Sequence, residues 1–311
     1  MDVSVCMPTW NNAEQLRLTL DELGHCSTDG FAWEVVVCTN NCTDHTSDIL
    51  DHFKGRLPLV VVNESRQGVA KARNTAFANA SGALIVMTDD DVFPGSRWLS
   101  AYVDAYRRHG ESCFFGGPIV ARYEDPHVDP YVVDVAIHSA RGYSEGAHEK
   151  ELHEPSFIGP NWAAPAPAIR KLGGFDPNRG LNPSAGRFQA GEESILQSEL
   201  LQAGYRAWYI PDATVDHFVG KRKTEKHYVF DRLEETAFDG ELHRTTNGTG
   251  TVARLAAWTA ANGALHCLKA ASGVKTLSSY RNWRTGKGLL RARAVKHLMY
   301  RGQNLYKPSG D

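Results

Sequence analysis

The sequence predicts an α/β protein with a mostly parallel central sheet, flanking helices and a helical carboxyl-terminal extension. Three observations carry that prediction. Short apolar runs alternate with segments of helical period from Val3 to Thr88, the acidic triplet Asp89-Asp90-Asp91 follows the last of these runs directly, and helical pattern returns from Val229 onward. Alternation of this kind builds parallel strands covered by helices. Open sheets of that class bind ligands beyond the carboxyl ends of their strands, where the triplet would lie.

Taken in order, residues 3–7 read as a first strand, residues 13–23 as a helix with Leu16, Leu20 and Leu23 on a related face, and residues 33–39 as a second strand. Thr43-Asp44 and Thr46-Ser47 supply caps for a helix through Ile49, Leu50 and Phe53, and residues 59–63 form a third strand. A helix over 68–80 and a strand over 83–88 follow, then a helix over 98–108 and an apolar connection over 114–121 punctuated by Gly and Pro. Residues 123–155 hold several histidines and acids without clear period, the pattern of a variable insertion or a substrate-facing region. Regular structure is expected again over 168–172 and 192–203, as a strand and turn over 205–211, and as helices over 229–238 and 252–268, with Gly263 a weak point in the last.

Composition narrows the function classes. With 34 Lys+Arg against 36 Asp+Glu the net charge of the 311 residues is −2, which argues against a dedicated nucleic-acid binder and against a disordered chain. The length suits one large α/β domain with embellishments or two modest domains. Six sparse cysteines (6, 26, 38, 42, 113 and 267) read as reduced thiols, because the close pair Cys38 and Cys42 has no companions to complete four zinc ligands. The opening residues lack a signal-peptide core and no apolar run approaches a membrane span, so a cytoplasmic protein is expected. Residues 281–301 carry seven Arg or Lys and no acid beside an apolar stripe, which leaves open contact with the inner face of a membrane or a solvated helix packed on the domain. A dinucleotide site is disfavoured because Met7-Pro-Thr-Trp-Asn-Asn12 lacks the Gly-x-Gly-x-x-Gly turn.

A series of segments in order resembles one family. Val5-Cys-Met-Pro-Thr-Trp-Asn-Asn12, Glu34-Val-Val-Val-Cys-Thr-Asn-Asn-Cys-Thr-Asp44, Thr88-Asp-Asp-Asp-Val92, Gly159-Pro-Asn-Trp162, Leu172-Gly-Gly-Phe-Asp176, Gly191-Glu-Glu-Ser194 and Tyr209-Ile-Pro-Asp-Ala-Thr-Val-Asp-His217 together resemble the family 2 inverting glycosyltransferases. The resemblance implies a GT-A type catalytic domain over 1–220, mainly donor-binding over 1–120 and mainly acceptor-binding over 121–220, followed by a helical extension with a basic tail over 221–311. It also implies an inverting, metal-assisted transfer of sugar from a nucleotide-diphosphate donor to an acceptor hydroxyl.

The site residues follow position by position. Asp91 is the first choice as direct ligand of Mg2+ or Mn2+, with Asp89 at the donor ribose or the metal shell and Asp90 orienting the turn on the donor side. On its own the triplet reads equally well as a solvated cap-forming loop. His217 resembles the later histidine that joins the metal or diphosphate, and one of Lys221, Arg222 and Lys223 is placed to neutralise the departing diphosphate. Pro8 and Thr9 resemble the turn approaching base or ribose, and Arg66, Gly68, Lys71 and Arg73 the segment facing base and phosphates, with Arg73 the favoured inward contact. Thr39 stands where the family often has an acid at the nucleobase, so UDP remains the broad expectation with dTDP and GDP in play, and Asp44 reads first as a cap.

Glu193 is expected to be the general base, one methylene longer than the more usual Asp, and Glu192 to orient acceptor or donor. Asn161, Trp162 and Asp176 are the acceptor-binding candidates, with Trp10, Phe175 and Phe188 shaping the pocket; core packing is the plain alternative for each aromatic. The acceptor is a growing glycan, a lipid-linked sugar or a small metabolite, and assembly as a homo-oligomer is open. The rival readings are a sugar nucleotidyltransferase, which the missing Gly/Lys-rich opening disfavours, and a noncatalytic carbohydrate-binding or assembly protein.

Overall fold

The computed structural model describes residues 1–154, 157–180, 191–242, 250–272, 277 and 279–290. The chain divides into two compact units, one of residues 1–122 and 142–219 and another of residues 123–141 and 220–311.

The first unit is built on an eight-stranded sheet. Its opening half alternates β1 (Val3–Thr9), α1 (Ala13–Leu23), β2 (Trp33–Thr39), α2 (Thr46–Phe53), β3 (Leu59–Asn63), α3 (Val69–Ala78) and β4 (Leu84–Met87). β1 is buried along its whole length and β2 along all but its end residues, as expected of parallel strands covered on both faces, which is why they read as near-continuous apolar runs. After β5 (Val92–Pro94) and α4 (Trp98–His109) come β6 (Cys113–Gly116), β7 (Ile119–Tyr123), β8 (Lys150–Leu152), β9 (Trp162–Pro165), α7 (Ala166–Lys171), α8 (Glu192–Gln202), β10 (Arg206–Tyr209) and β11 (Val215–Val219). The strand order is β3-β2-β1-β4-β9-β6-β10-β8, with β5-β11-β7 forming a separate small sheet.

The sheet is mostly parallel, as the alternation predicts, and its antiparallel part sits where the sequence is least regular. β9 runs antiparallel to both β4 and β6 and so stitches the parallel block β3-β2-β1-β4 to the parallel pair β6 and β10. Four residues reading Trp-Ala-Ala-Pro carry no alternation that announces a strand. The apolar connection expected over 114–121 is in fact occupied by β6 and β7, separated by a two-residue Gly117-Pro118 turn. The weakly periodic stretch over 123–155 divides: β8 becomes the sheet edge against β10, whereas α5 (Pro130–Val135) and α6 (His138–Arg141) belong to the second unit.

That second unit contains α5, α6, a single 3₁₀ turn (Lys221–Thr224), α9 (Lys226–Leu242), α10 (Gly250–Ala271) and a helix over 279–290. α10 runs unbroken through Gly263, against which the Trp283 ring packs. Among the described residues no helix is long and apolar enough to cross a membrane. Of the basic stretch over 281–301, residues 291–301 lie outside the described residues.

One buried amide ties together α4, the turn between β6 and β7, and the segment between β10 and β11. Asn161, fully buried, donates from Nδ2 to the carbonyls of Pro118 (2.9 Å) and Ala213 (2.8 Å), and its Oδ1 accepts from Trp98 Nε1 (2.7 Å) and Tyr102 Oη (2.6 Å). Gly117 lets this happen, because a Cβ there would stand 2.0 Å from the Ala213 carbonyl oxygen and 2.8 Å from Asn161 Nδ2. Asn161→Ala removes the partner of two buried donors, at Trp98 and Tyr102, and of the Ala213 carbonyl, and is expected to cost about 3 kcal/mol in urea unfolding, without a change in far-UV circular dichroism before the transition.

Candidate active site

The parallel strands β1 to β4 deliver four loops to one end of the sheet, and asparagines tie three of them into a common rim. Asn40, buried at the end of β2, donates its backbone N–H to the Thr9 carbonyl (3.0 Å) and its Nδ2 to the carbonyls of Glu64 (2.6 Å) and Arg66 (3.1 Å), while its Oδ1 accepts from the Gly68 N–H (2.8 Å). Asn11 and Asn41 both sit at positive φ (50° and 60°), which asparagine tolerates better than most residues. Asn11 accepts from the Thr43 N–H (2.7 Å), and Asn41 donates to the Ser65 carbonyl (3.0 Å) and Gln67 Oε1 (2.9 Å). Asp44 closes the turn into α2 by accepting from the Thr46 hydroxyl (2.6 Å), and also accepts from the first N–H of α1 at Ala13 (3.0 Å).

Several donor-side candidates serve this rim rather than open space. Pro8 is buried within β1. The Thr9 hydroxyl donates to Asp90 Oδ2 (2.6 Å), Asn12 Nδ2 donates to Asp90 Oδ1 (2.8 Å), and the Thr19 hydroxyl donates to the Asp90 carbonyl (2.9 Å). Asp90 is therefore an inward lock between β4, the β1 loop and α1; burial first, then Asp91, push its carboxyl up to about 7. The direct donor contact expected of Thr9 is replaced by this lock, since its hydroxyl is already committed, and Asp90 acts on the turn itself. Thr39 is half-buried at the rim, its hydroxyl shared between the Val62 carbonyl (3.3 Å) and Asn63 Oδ1 (3.0 Å). Arg66 stays 71% exposed at the same edge, held by Glu64 through Nε (3.0 Å) and Nη2 (2.8 Å). Glu64 is a functional-rim residue that the cation pattern of this segment does not reveal; its sequence signal is an acid directly after a strand.

Arg73 departs from its expected contact with donor phosphate. The guanidinium is buried and bridges two carboxylates, with Nη2 on Asp89 Oδ1 (2.7 Å) and Nη1 on Glu192 Oε1 (2.5 Å), over the Phe175 ring at 5.7 Å. Gly159 is packed on it so closely that a Cβ would meet Nη2 at 2.7 Å. Burial, then Glu193, drive the Glu192 carboxyl above the usual carboxylate range, and Arg73 opposes them. Glu193 follows on the first turn of α8, half-buried, with no hydrogen bond or ion pair among the described residues. The structure thus separates two adjacent acids that sequence alone leaves equivalent: Glu192 is consumed by Arg73, and Glu193 is open.

Asp91 and His217 come together across the small sheet. β5 pairs antiparallel with β11, the Phe218 N–H donates to the Asp91 carbonyl (2.9 Å), and His217 Nε2 stands 3.3 Å from Asp91 Oδ1. His217 is buried and its Nδ1 has no hydrogen-bond partner in the protein. One imidazole and one carboxylate fit a divalent cation, since two ligands each about 2.1 Å from an ion and at right angles stand about 3 Å apart. Among the described residues no three carboxylate, imidazole or thiol side chains gather as a ligand set, so Asp89, drawn to Arg73, does not complete a third protein ligand.

On the acceptor side, two candidates are corrected. Asn161 has every hydrogen-bonding position filled, as described above, and Trp162 is fully buried in β9 with its ring edge-on to Phe175 at 6.0 Å; neither is open to a substrate. Phe175 is likewise core. Asp176 is exposed but folded back on its own loop, accepting from the Asn178 N–H (2.9 Å). Trp10 is 45% exposed beyond β1. Phe188 lies outside the described residues.

Comparison with known proteins bears on this arrangement. The model of the family described as Glycosyl transferase family 2 matches residues 4–173. The chain is 30% identical over 99 residues to glycosyltransferase AglE of Haloferax volcanii, a match covering 31% of this chain and 33% of that protein. It is 25% identical over 198 residues to the glucosyl-dolichyl phosphate glucuronosyltransferase of the same organism, covering 62% and 61%. The matches therefore span less than two thirds of the length of these relatives. The solved structure of mannosyltransferase PcManGT from Pyrobaculum calidifontis, in complex with GDP-Man and Mn2+, shares the fold with a TM-score of 0.60 at 24% identity, over 95% of this chain and 86% of that one.

Two outcomes follow from the ion pairs. Arg66 first, with the Arg66 backbone N–H and the Thr75 hydroxyl and against the opposing effect of burial, pulls the Glu64 carboxyl down to about 2. An unfolded glutamate titrates near about 4.3, so this stabilisation is fully present above that pH and is lost as pH falls toward 2. Urea midpoints of wild type and Glu64→Gln are expected to differ at pH 7 and to converge in that acid window. Arg73→Met leaves the buried Glu192 and the half-buried Asp89 without their shared cation and is expected to lower stability at pH 7 by about 3 kcal/mol, with the double variant Arg73→Met/Glu192→Gln recovering part of the loss.

Proposed function

The chain belongs to glycosyl transferase family 2, and from that premise we propose that it transfers a sugar, with inversion, from a nucleotide-diphosphate sugar to an acceptor hydroxyl. The observation that supports this most is the buried Arg73, which joins the acid triplet at the end of β4 to the Glu192-Glu193 turn of α8. A donor-binding end of the sheet and a carboxylate base are thereby held in one cluster, as a single displacement requires.

In this reading the nucleotide lies on the rim made by the loops after β1, β2 and β3. Thr39 offers its hydroxyl oxygen as an acceptor and Arg66 an exposed guanidinium. UDP is the first choice of nucleotide; dTDP and GDP also suit a rim that lacks an acid at position 39. Asp91 and His217 face the donor diphosphate and would hold Mg2+ or Mn2+, which supplies positive charge to a phosphate-rich leaving group. Glu193 takes the proton from the acceptor hydroxyl as its oxygen attacks the anomeric carbon from the side opposite the diphosphate, which inverts that centre. Arg73 keeps Glu192 and Asp89 fixed so that the neighbouring Glu193 holds its place. Residues 1–120 then supply mainly the donor side and residues 121–220 mainly the acceptor side, with a glycan, a lipid-linked sugar or a small metabolite as acceptor.

The test follows nucleotide-diphosphate release and product mass across UDP-, dTDP- and GDP-sugars with Mg2+ or Mn2+ and pooled acceptors. Acceptor-dependent mass gain is expected with one donor class and is expected to vanish with EDTA and return with added metal. Glu193→Gln should lower kcat by about 10²–10⁴-fold with the donor KM nearly unchanged. Asp91→Asn should weaken metal activation. Full kcat in Glu193→Gln would remove that residue as base, and an absence of transfer with every donor would move the protein to a binding role.

A further inference from the structure

α8 carries Glu193 on its first turn, and apolar packing alone does not fix that turn. No side chain caps its amino end, where Gly191 sits in the left-handed region at φ 90°. The buried residues of the helix are Glu192, Leu196, Gln197 and Leu200, so polar side chains supply half of its buried face. Apolar contact is non-directional and tolerates small rotations of a helix, whereas hydrogen bonds and ion pairs are directional. The orientation of α8 is therefore set by what Glu192 and Gln197 bind.

Gln197 is fully buried one helical turn beyond Glu193, and residues four apart share a helix face. Its carboxamide binds both backbone groups of one residue: Nε2 donates to the Phe157 carbonyl (2.9 Å), and Oε1 accepts from the Phe157 N–H (3.1 Å). Phe157 is itself fixed. Its buried ring meets Phe114 edge to face at 5.9 Å and is seated so closely on Gly116 of β6 that a Cβ there would overlap it. Two bonds from one amide resist both sliding of α8 along its axis and rotation about it, because either motion misaligns at least one of them.

Two residues beyond Phe157, Gly159 packs on the Arg73 guanidinium, which binds Glu192. Contacts thus leave α8 at Gln197, pass through Phe157, Gly159 and Arg73, and return to the helix at Glu192. Asn74 applies the same device to Phe175, whose ring the guanidinium covers: it donates to the Phe175 carbonyl (2.7 Å) and accepts from the Phe175 N–H (2.9 Å). Glu193 lies between the two ends of this circuit.

We propose that Gln197 is a positioning residue for the transfer reaction, its two bonds to Phe157 fixing the axial rotation of α8 and with it the aim of the Glu193 carboxylate. The proposal rests on the reading of Glu193 as base only for its catalytic consequence. A helical side chain reaches about 5–6 Å from the helix axis, so a rotation of about 10° moves its tip by about 1 Å. A misplacement of about 1 Å can cost about 100-fold in rate.

The test compares steady-state transfer, urea midpoints and hydrogen exchange in the full chain. Gln197→Met has similar length and makes neither bond; its kcat is expected to fall about ten- to hundredfold with the donor KM within about twofold of wild type. Gln197→Asn keeps the amide with one methylene less, is expected to lose about three- to tenfold in kcat, and supplies the reading if the methionine variant does not fold. Leu200→Ala removes buried apolar contacts from the same helix and is expected to lower the urea midpoint while kcat, measured well below unfolding, stays nearly unchanged. Exchange over residues 191–196, read by mass spectrometry, is expected to quicken more in the Gln197 variants than in Leu200→Ala. Unchanged kcat in the Gln197 variants, or an equal fall in Leu200→Ala, overturns the proposal and leaves the transfer activity standing. A wild-type chain that transfers no sugar refutes the proposed function instead; faster exchange in the Gln197 variants than in Leu200→Ala then still supports the positioning of α8, and equal exchange overturns it.

Discussion

The arrangement at the carboxyl ends of the strands depends on one buried cation. Arg73 reaches from α3 to Asp89 at the end of β4 and to Glu192 at the start of α8, so that residues 119 positions apart along the chain share one charge cluster. A guanidinium suits this position because its planar fork serves two carboxylates at once and remains charged when buried. Removing it from water is costly, and the two ion pairs offset that cost only while both acids stay in place. α8 is therefore positioned by chemistry as well as by packing, and the open Glu193 inherits its location from the neighbour that is not open.

The acid triplet shows how three identical side chains acquire three tasks. Asp89 turns to Arg73, Asp90 turns inward to Thr9 and Asn12, and Asp91 turns to His217. Adjacent carboxylates repel, and the fold resolves this by giving each one a separate partner on a different element. Of the three, Asp91 is the one that stands beside an imidazole nitrogen. The asparagines at 11, 40 and 41 do comparable work for the backbone by closing turns that have few other hydrogen-bond partners.

The second unit follows a different logic. Its helices meet through aromatic rings and the Arg284 ion pairs, beside an open groove lined by Phe230, Leu277 and Tyr280.

Much of this was legible before any coordinates. The bounds of α1, β2 and β3 follow from apolar period alone, because a helix or strand with one committed buried face must repeat at 3.6 or at 2 residues, and parallel strands buried on both faces read as unbroken apolar runs. The positions of Asp91, His217 and Glu193 were likewise singled out by sequence. β9 was not, because four residues give no period, and neither were the fates of Asn161, Trp162, Thr9 and Arg73. Their side chains carry the same chemistry whether they face a substrate or the core. Apolar period thus reveals the longer buried elements of the first half and the residue types at the sheet's end. Which of those side chains are consumed is a matter of the folded state, since a hydrogen bond or ion pair to a partner up to 119 residues away is set by the packing of whole elements and leaves no local trace.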